Sequence, residues 1–172
     1  MDRRWIYILL LCLIAAGCGY LIASTSNSVG NAITDVNTSM VTLPQGFGVQ
    51  SSGVLKTELI QRDTGELILI KDFGKVDVGL SEFNKKLDFL SKDKNCKVLD
   101  NSTDSNNRYT LYTVSYENNT DGNSSKESVS YLYLYNRTYF IKQTGYSSTD
   151  KMSDNLDYVV KSLRLDYKKS QE

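Results

Sequence analysis

Hydrophobic positions change their spacing along the chain, and each change marks an element. Trp5 to Ala23 is an apolar run without a single charge. Residues 24–39 are small and polar and hold no sustained period, the pattern of a flexible spacer, with Ile33 and Val36 able to form at most a short helical turn. From Met40 the pattern alternates. Val41 to Val49, interrupted by Pro44, Gly46 and Gly48, reads as a bent strand at a sheet edge, where proline is tolerated. Val54–Gln61 and Glu66–Phe73 are strand-like runs joined by Arg62-Asp63-Thr64-Gly65, a hairpin signal. Leu67-Ile68-Leu69-Ile70 is continuously apolar, which predicts a central strand covered on both faces.

Leu80, Phe83, Leu87 and Leu90 recur at spacings of three and four, the stripe of an amphipathic helix. Ser81 is placed to cap it, Glu82 suits its first turn, and Lys92-Asp93-Lys94-Asn95 ends it. Four further strands are predicted at Cys96–Leu99, Tyr109–Glu117, Ser128–Asn136 and Thr138–Gly145. The Asn/Ser/Gly-rich stretch from Asn118 to Glu127 reads as a mobile loop. Met152, Leu156, Val159, Val160 and Leu163 mark a second helix. The expected fold class is therefore α+β: an antiparallel sheet of about six to seven strands packed by two helices, in the order β-β-β-α-β-β-β-β-α, behind one N-terminal transmembrane helix. The expected boundaries are 1–24 for a signal anchor, 25–39 for a polar linker, 40–167 for the domain and 168–172 for a disordered tail.

The apolar run is long enough to cross the hydrocarbon layer, which takes roughly 20 residues. Arg3 and Arg4 precede it and no cation follows until Lys56, so the N-terminus is expected in the cytoplasm and the domain outside. A lipidation reading stays open, because Ala15-Ala16-Gly17-Cys18 has the outline of a lipobox with Cys18 as the modified residue. So does simple cleavage near Leu21-Ile22-Ala23. Ala15, Gly19 and Ala23 share one stripe, a spacing that would let two spanning helices pack closely as a homodimer.

Composition narrows the chemistry. The chain has 172 residues, 20 basic and 20 acidic, so it lacks the positive field of a general nucleic-acid binder. It contains no histidine, which removes Ser-His-Asp and Cys-His catalysis and every His-ligated metal or haem site. Of the three cysteines, Cys12 and Cys18 lie in the apolar run, so Cys96 has no partner within the domain for a disulfide. Lys94 and Lys97 flank it, a setting that lowers a thiol's pKa, though a small residue at a strand start packs equally well. No catalytic residue, metal site or cofactor is expected. A carboxylate-based hydrolase remains as an alternative, since acidic residues are plentiful.

The opening Leu43-Pro44-x-Gly46-Phe47-x-Val49, the hairpin after it, the mid-chain helix and the closing Val160-Lys161-Ser162-Leu163 together resemble PsbP-like domains. The resemblance covers residues 40–165. It implies an α/β/α sandwich, shared with a photosystem extrinsic subunit and a Ran-binding nuclear import factor, that serves as an accessory or interaction domain. The family's metal-associated histidines have no counterpart here.

Three groups remain as candidate sites. Tyr131, Tyr133 and Tyr135 alternate along one strand and would form an aromatic recognition face if it is open, or core if a helix covers it. Asn37, Asn101, Asn118, Asn123 and Asn136 satisfy the glycosylation rule, four of them in predicted linkers or loops. Glu117 to Asn123 outlines the first half of a calcium loop, but its twelfth position is Ser128 rather than glutamate. The expected function is a non-catalytic binding or accessory domain tethered at the cell envelope, with a protein partner. The alternative is an envelope-sensing or carbohydrate-contacting domain that uses the tyrosines. Intact mass of the membrane-extracted protein separates the N-terminal readings: the full chain is expected, and a species starting at Cys18 with added acyl mass would establish the lipobox instead.

Overall fold

A computed structural model of the chain describes residues 33–36, 39–53, 55–120 and 122–169, with the side chains of 43–53, 55–120 and 122–163. The candidate span 5–23, Cys18, the Ala15/Gly19/Ala23 stripe and Asn37 lie outside the described residues. Among the described residues no helix is long and apolar enough to cross a membrane.

β1 (Ile33–Val36) and β2 (Ser39–Thr42) form a two-stranded antiparallel ladder. The elements that follow are β3 (Phe47–Gly53), β4 (Lys56–Gln61), β5 (Leu67–Asp72), α1 (Gly79–Lys92), β6 (Cys96–Ser105), β7 (Tyr109–Thr120), β8 (Asn123–Leu134), β9 (Arg137–Tyr146) and α2 (Thr149–Lys169). β3 to β9 make one seven-stranded sheet in the order β3-β4-β5-β9-β8-β7-β6, antiparallel at every step. From β3 on, the described residues adopt the expected α+β class and element order. After β5 the chain crosses through α1 to the far edge. It then returns by the meander β6 to β9, so that β9 closes against β5.

Side chains alternate along the strands, and each face of the sheet has its own core. On one side, Phe83 and Leu90 of α1 pack on Val114 and Tyr116 of β7 and Val129 and Tyr131 of β8. On the other, Met152, Leu156, Val159, Val160 and Leu163 of α2 pack on Leu59, Ile68, Ile70, Leu132, Leu134 and Ile141. Full burial of such a side chain contributes about 1.5 to 3 kcal/mol relative to exposure. Residues 31–172 form one compact unit that contains both cores.

Several local expectations change. The first strand is split: the Phe47 N–H donates to the Pro44 carbonyl at 3.1 Å and Gly46 takes φ +83°, so a turn separates β2 from β3. Ile33–Val36, expected in the spacer, is a strand rather than a helical turn. Asn118 to Glu127 is not a loop but the end of the β7–β8 hairpin, with Thr120 paired to Asn123. β6 runs on to Ser105, because an edge strand with solvent beside it needs the ladder to β7 but no apolar side chains. Ser81 lies inside α1 and donates to the Val78 carbonyl at 3.3 Å instead of capping. Leu80 is exposed and Gly79 takes its place on the buried face, close against the Tyr112 ring. β5 is central in the sheet but covered on one side only. Ile68 and Ile70 are fully buried, whereas Leu67 and Leu69 are half-exposed, because α1 lies over β6, β7 and β8.

One ion pair joins the end of β5 to the start of β9. Arg137 donates through Nε and Nη2 to Asp72 Oδ2 at 3.0 and 2.8 Å, and the Gly74 N–H donates to Oδ1 at 2.6 Å. The Asp72 side chain is fully buried, so its charge depends on these donors. Arg137→Met should lower the unfolding free energy by about 3 to 5 kcal/mol, read from the urea midpoint. Asp72→Asn in the same chain should restore part of the loss; no recovery would show that packing of the arginine stem, not the stranded charge, carries the effect.

Candidate functional site

The tyrosines come first, because the sequence singles them out. Tyr131 is buried beneath α1, edge-on to Phe140 with ring centroids 5.5 Å apart. Burial, with Glu82 adding to it, pushes its hydroxyl pKa up to about 12. Tyr135 and Asn136 both take left-handed φ values, +53° and +61°, in the two-residue turn between β8 and β9. That turn removes Tyr135 from the strand's alternation and packs it against the α2-side core. Tyr133 stays half-exposed, and its hydroxyl donates to Asn136 Oδ1 at 3.3 Å. The three do not form one open aromatic face.

The other sequence-predicted groups are also dispersed. Asn101 is exposed on β6, Asn123 is exposed at the start of β8, and Asn136 is exposed in the hairpin turn. Asn118 is half-buried and donates to Glu127 Oε1 at 3.0 Å. Strands, not loops, therefore carry Asn101, Asn118 and Asn123. Cys96 is half-buried at the start of β6, and its Sγ donates to Asp93 Oδ2 at 3.5 Å. Burial and the Asp93 carboxylate push the thiol pKa up, opposite to the direction expected from Lys94 and Lys97. Glu117 of the calcium-loop outline accepts a hydrogen bond from Ser124 across the hairpin. Among the described residues no group of acidic and cysteine side chains could hold a metal ion.

The three buried carboxylates among the described residues are each paired. Asp72 meets Arg137, Glu66 meets Lys151 at 2.6 Å, and Glu127 meets Lys142 at 3.2 Å. Glu127 also accepts from the Tyr116 hydroxyl at 2.8 Å. Burial alone would push the Glu127 carboxyl up, but hydrogen bonds from Asn118 and Tyr116, together with the Lys142 ammonium, outweigh it and hold the pKa below the usual range. A general acid needs the reverse. Beside this group, Lys86 Nζ sits over the Tyr116 and Phe89 rings at 4.9 and 5.0 Å. Burial, then Lys142, lowers the Lys86 pKa.

A groove opens on the α2 side of the sheet, where α2 stops short of the β6 edge. It encloses about 630 Å³ between β6, β7, β8 and the first turns of α2. Leu111, Met152 and Leu156 supply apolar surface, and Ser128 and Gln143 supply polar surface. Gln143 is fully buried and fully used: it accepts from Ser128 Oγ at 2.8 Å and donates to the Met152 carbonyl at 2.9 Å. The walls are charged. Asp100 and Asp104 come from β6 and Asp150 and Asp157 from α2, against Lys126 as the one lining cation. All four aspartates are exposed. Four residues along a strand set Asp100 and Asp104 about 13 Å apart. Two helical turns set Asp150 and Asp157 about 10 Å apart. The walls thus present two rows of solvated carboxylate, with hydroxyls of Ser102, Thr113 and Ser153 between them. Solvated carboxylates at this spacing attract a cationic chain.

No known protein family and no curated protein matches this chain. Solved structures match it in chain path. The Ran-binding protein Mog1p of Saccharomyces cerevisiae is 13% identical with a TM-score of 0.49, over 81% of this chain and 95% of that one. The cyanobacterial PsbP (CyanoP) of Synechocystis is 14% identical with a TM-score of 0.46, over 73% of this chain and 85% of that one. A protein of unknown function from Pseudomonas aeruginosa is 9% identical with a TM-score of 0.40, over 67% and 83%.

The Glu127 network sets a pH dependence. A carboxyl whose pKa is depressed by folding contributes stability above its unfolded pKa of about 4.3, and loses it as pH falls through the folded value. Glu127→Gln should therefore cost about 1 to 3 kcal/mol at neutral pH, and the gap to the parent should close below about pH 4. Urea unfolding across that range checks it; a gap independent of pH would remove the carboxylate from the account.

Proposed function

We propose that the protein is a membrane-anchored binding domain, held outside the cytoplasm, whose acidic groove takes a cationic segment of a partner protein. The observation that carries the reading is the groove between β6 and α2, with four exposed aspartates and one lysine on its walls. The chain as a whole is neutral, so this concentration of negative charge is local. Exposed carboxylates steer a basic partner toward the groove and select against an acidic one, while the leucines and methionine give it surface to bury. The anchor is supported by the uncharged run 5–23 behind Arg3 and Arg4. A nucleic-acid partner is opposed by the same charge.

A peptide of alternating lysine and serine serves as the probe. It should bind the protein with an affinity that falls as salt rises. Asp100→Asn with Asp104→Asn should weaken it about tenfold, equivalent to roughly 1.4 kcal/mol. Asp63→Asn with Asp88→Asn, which removes two exposed carboxylates outside the groove, should leave it unchanged. Equal weakening by both pairs would show diffuse attraction and sink the groove as the site.

A further inference from the structure

We infer that one end of the sheet rests on the lipid surface, through the turn before β4 and the connection from β5 into α1. Leu55 is 54% exposed, Phe73 41%, Val76 43% and Leu80 51%. These are half of the large apolar side chains that stand exposed among the described residues; Leu55, Phe73 and Val76 lie on two neighbouring connections and Leu80 in the first turn of α1.

One backbone bond joins the two connections, and bonds to β9 hold the second. The Asp72 N–H donates to the Leu55 carbonyl at 3.0 Å, and the Phe73 N–H donates to the Thr138 carbonyl at 2.9 Å. The Thr138 hydroxyl donates to the Val76 carbonyl at 2.5 Å. Phe73 stacks on Phe140, with centroids 6.0 Å apart. The exposed apolar groups therefore project from a strapped base rather than a loose loop, so ordering them against a surface forfeits little entropy.

The charges suit a bilayer with some anionic lipid. Arg137 neutralises Asp72 and Lys56 pairs with Glu58. Exposed Lys75, and Lys71 over the Phe140 ring, then stand against exposed Asp77. Apolar side chains with lysines among them are the composition of interfacial contacts.

The occupant follows from the chain itself, and here the inference rests on the anchored reading. Residues 24–32 join the run 5–23 to the first strand, and fully extended they reach at most about 30 Å. A domain so tethered meets the lipid surface at high effective concentration, so a contact too weak for a free protein becomes persistent.

The test uses the full chain in vesicles of phosphatidylcholine and phosphatidylglycerol brominated in the acyl chain, which quenches nearby tryptophan. The parent's single tryptophan, Trp5, reports on the anchor. Phe73→Trp, in a chain also carrying Trp5→Phe, reports on the proposed contact, and Leu80→Trp repeats it independently. Phe89→Trp in the same background probes an exposed apolar position at the other end of α1. Quenching at 73 and 80 but not at 89, relieved by Leu55→Ser, is the expected result. If Trp5 is quenched while positions 73 and 80 are not, or if position 89 is quenched equally, the contact is overturned and the anchor stands. If Trp5 itself escapes quenching, the anchored reading fails and takes the contact with it.

Discussion

Two helices cannot cover a sheet of seven strands. Strands lie about 4.8 Å apart, so this sheet is roughly 30 Å wide, whereas a helix with its side chains spans about 10 to 12 Å. The chain divides its cover diagonally. α1 shields β6, β7 and β8 on one face, α2 lies over β8 and β9 on the other, and the β1–β2 ladder lies near β3, β4 and β5. Only β8 lies under both helices, and opposite corners are left open. The acidic groove is one of these corners. The half-exposed Leu67 and Leu69 mark the other.

Polar groups that the sheet buries are handled in one way throughout. Among the described side chains, none that is buried leaves a nitrogen or oxygen without a partner. Asp72, Glu66 and Glu127 each meet a cation from a different element, which ties β5 to β9, α2 to the β4–β5 hairpin, and β8 to β9. Such pairs add less stability than their charges suggest, because desolvation offsets the attraction, but breaking one is costly. Here they fix which elements meet. The groove obeys the opposite rule: its carboxylates face water and bind nothing within the chain except at Asp104, which accepts from the Tyr109 hydroxyl among the described contacts.

The order of elements was legible because periodicity follows burial. The stripe of Met152, Leu156, Val159, Val160 and Leu163 is buried as its spacing demands, and so is the alternation of β7. Elements that need no apolar side chains were not legible. β6 beyond Leu99 and the tip of the β7–β8 hairpin are written in Asn, Ser, Thr and Asp, and only backbone pairing across to β7 makes them strands. The tyrosines misled for a different reason: alternation assigns a face, but whether a helix lies over it is a tertiary matter, and the hairpin turn breaks the alternation at Tyr135. The groove was invisible because Asp100 and Asp157 are joined only by the fold. No local spacing records their meeting.

The polar writing of β6 has one further consequence. Crowded proteins encounter their own copies often. A bare strand border is the place where such encounters grow into fibrils. On β6 the outermost ten residues include Lys97, Asp100 and Asp104 and are almost wholly exposed. A copy approaching border to border in parallel register would bring like charges together, and in any register it would find little greasy surface to hide.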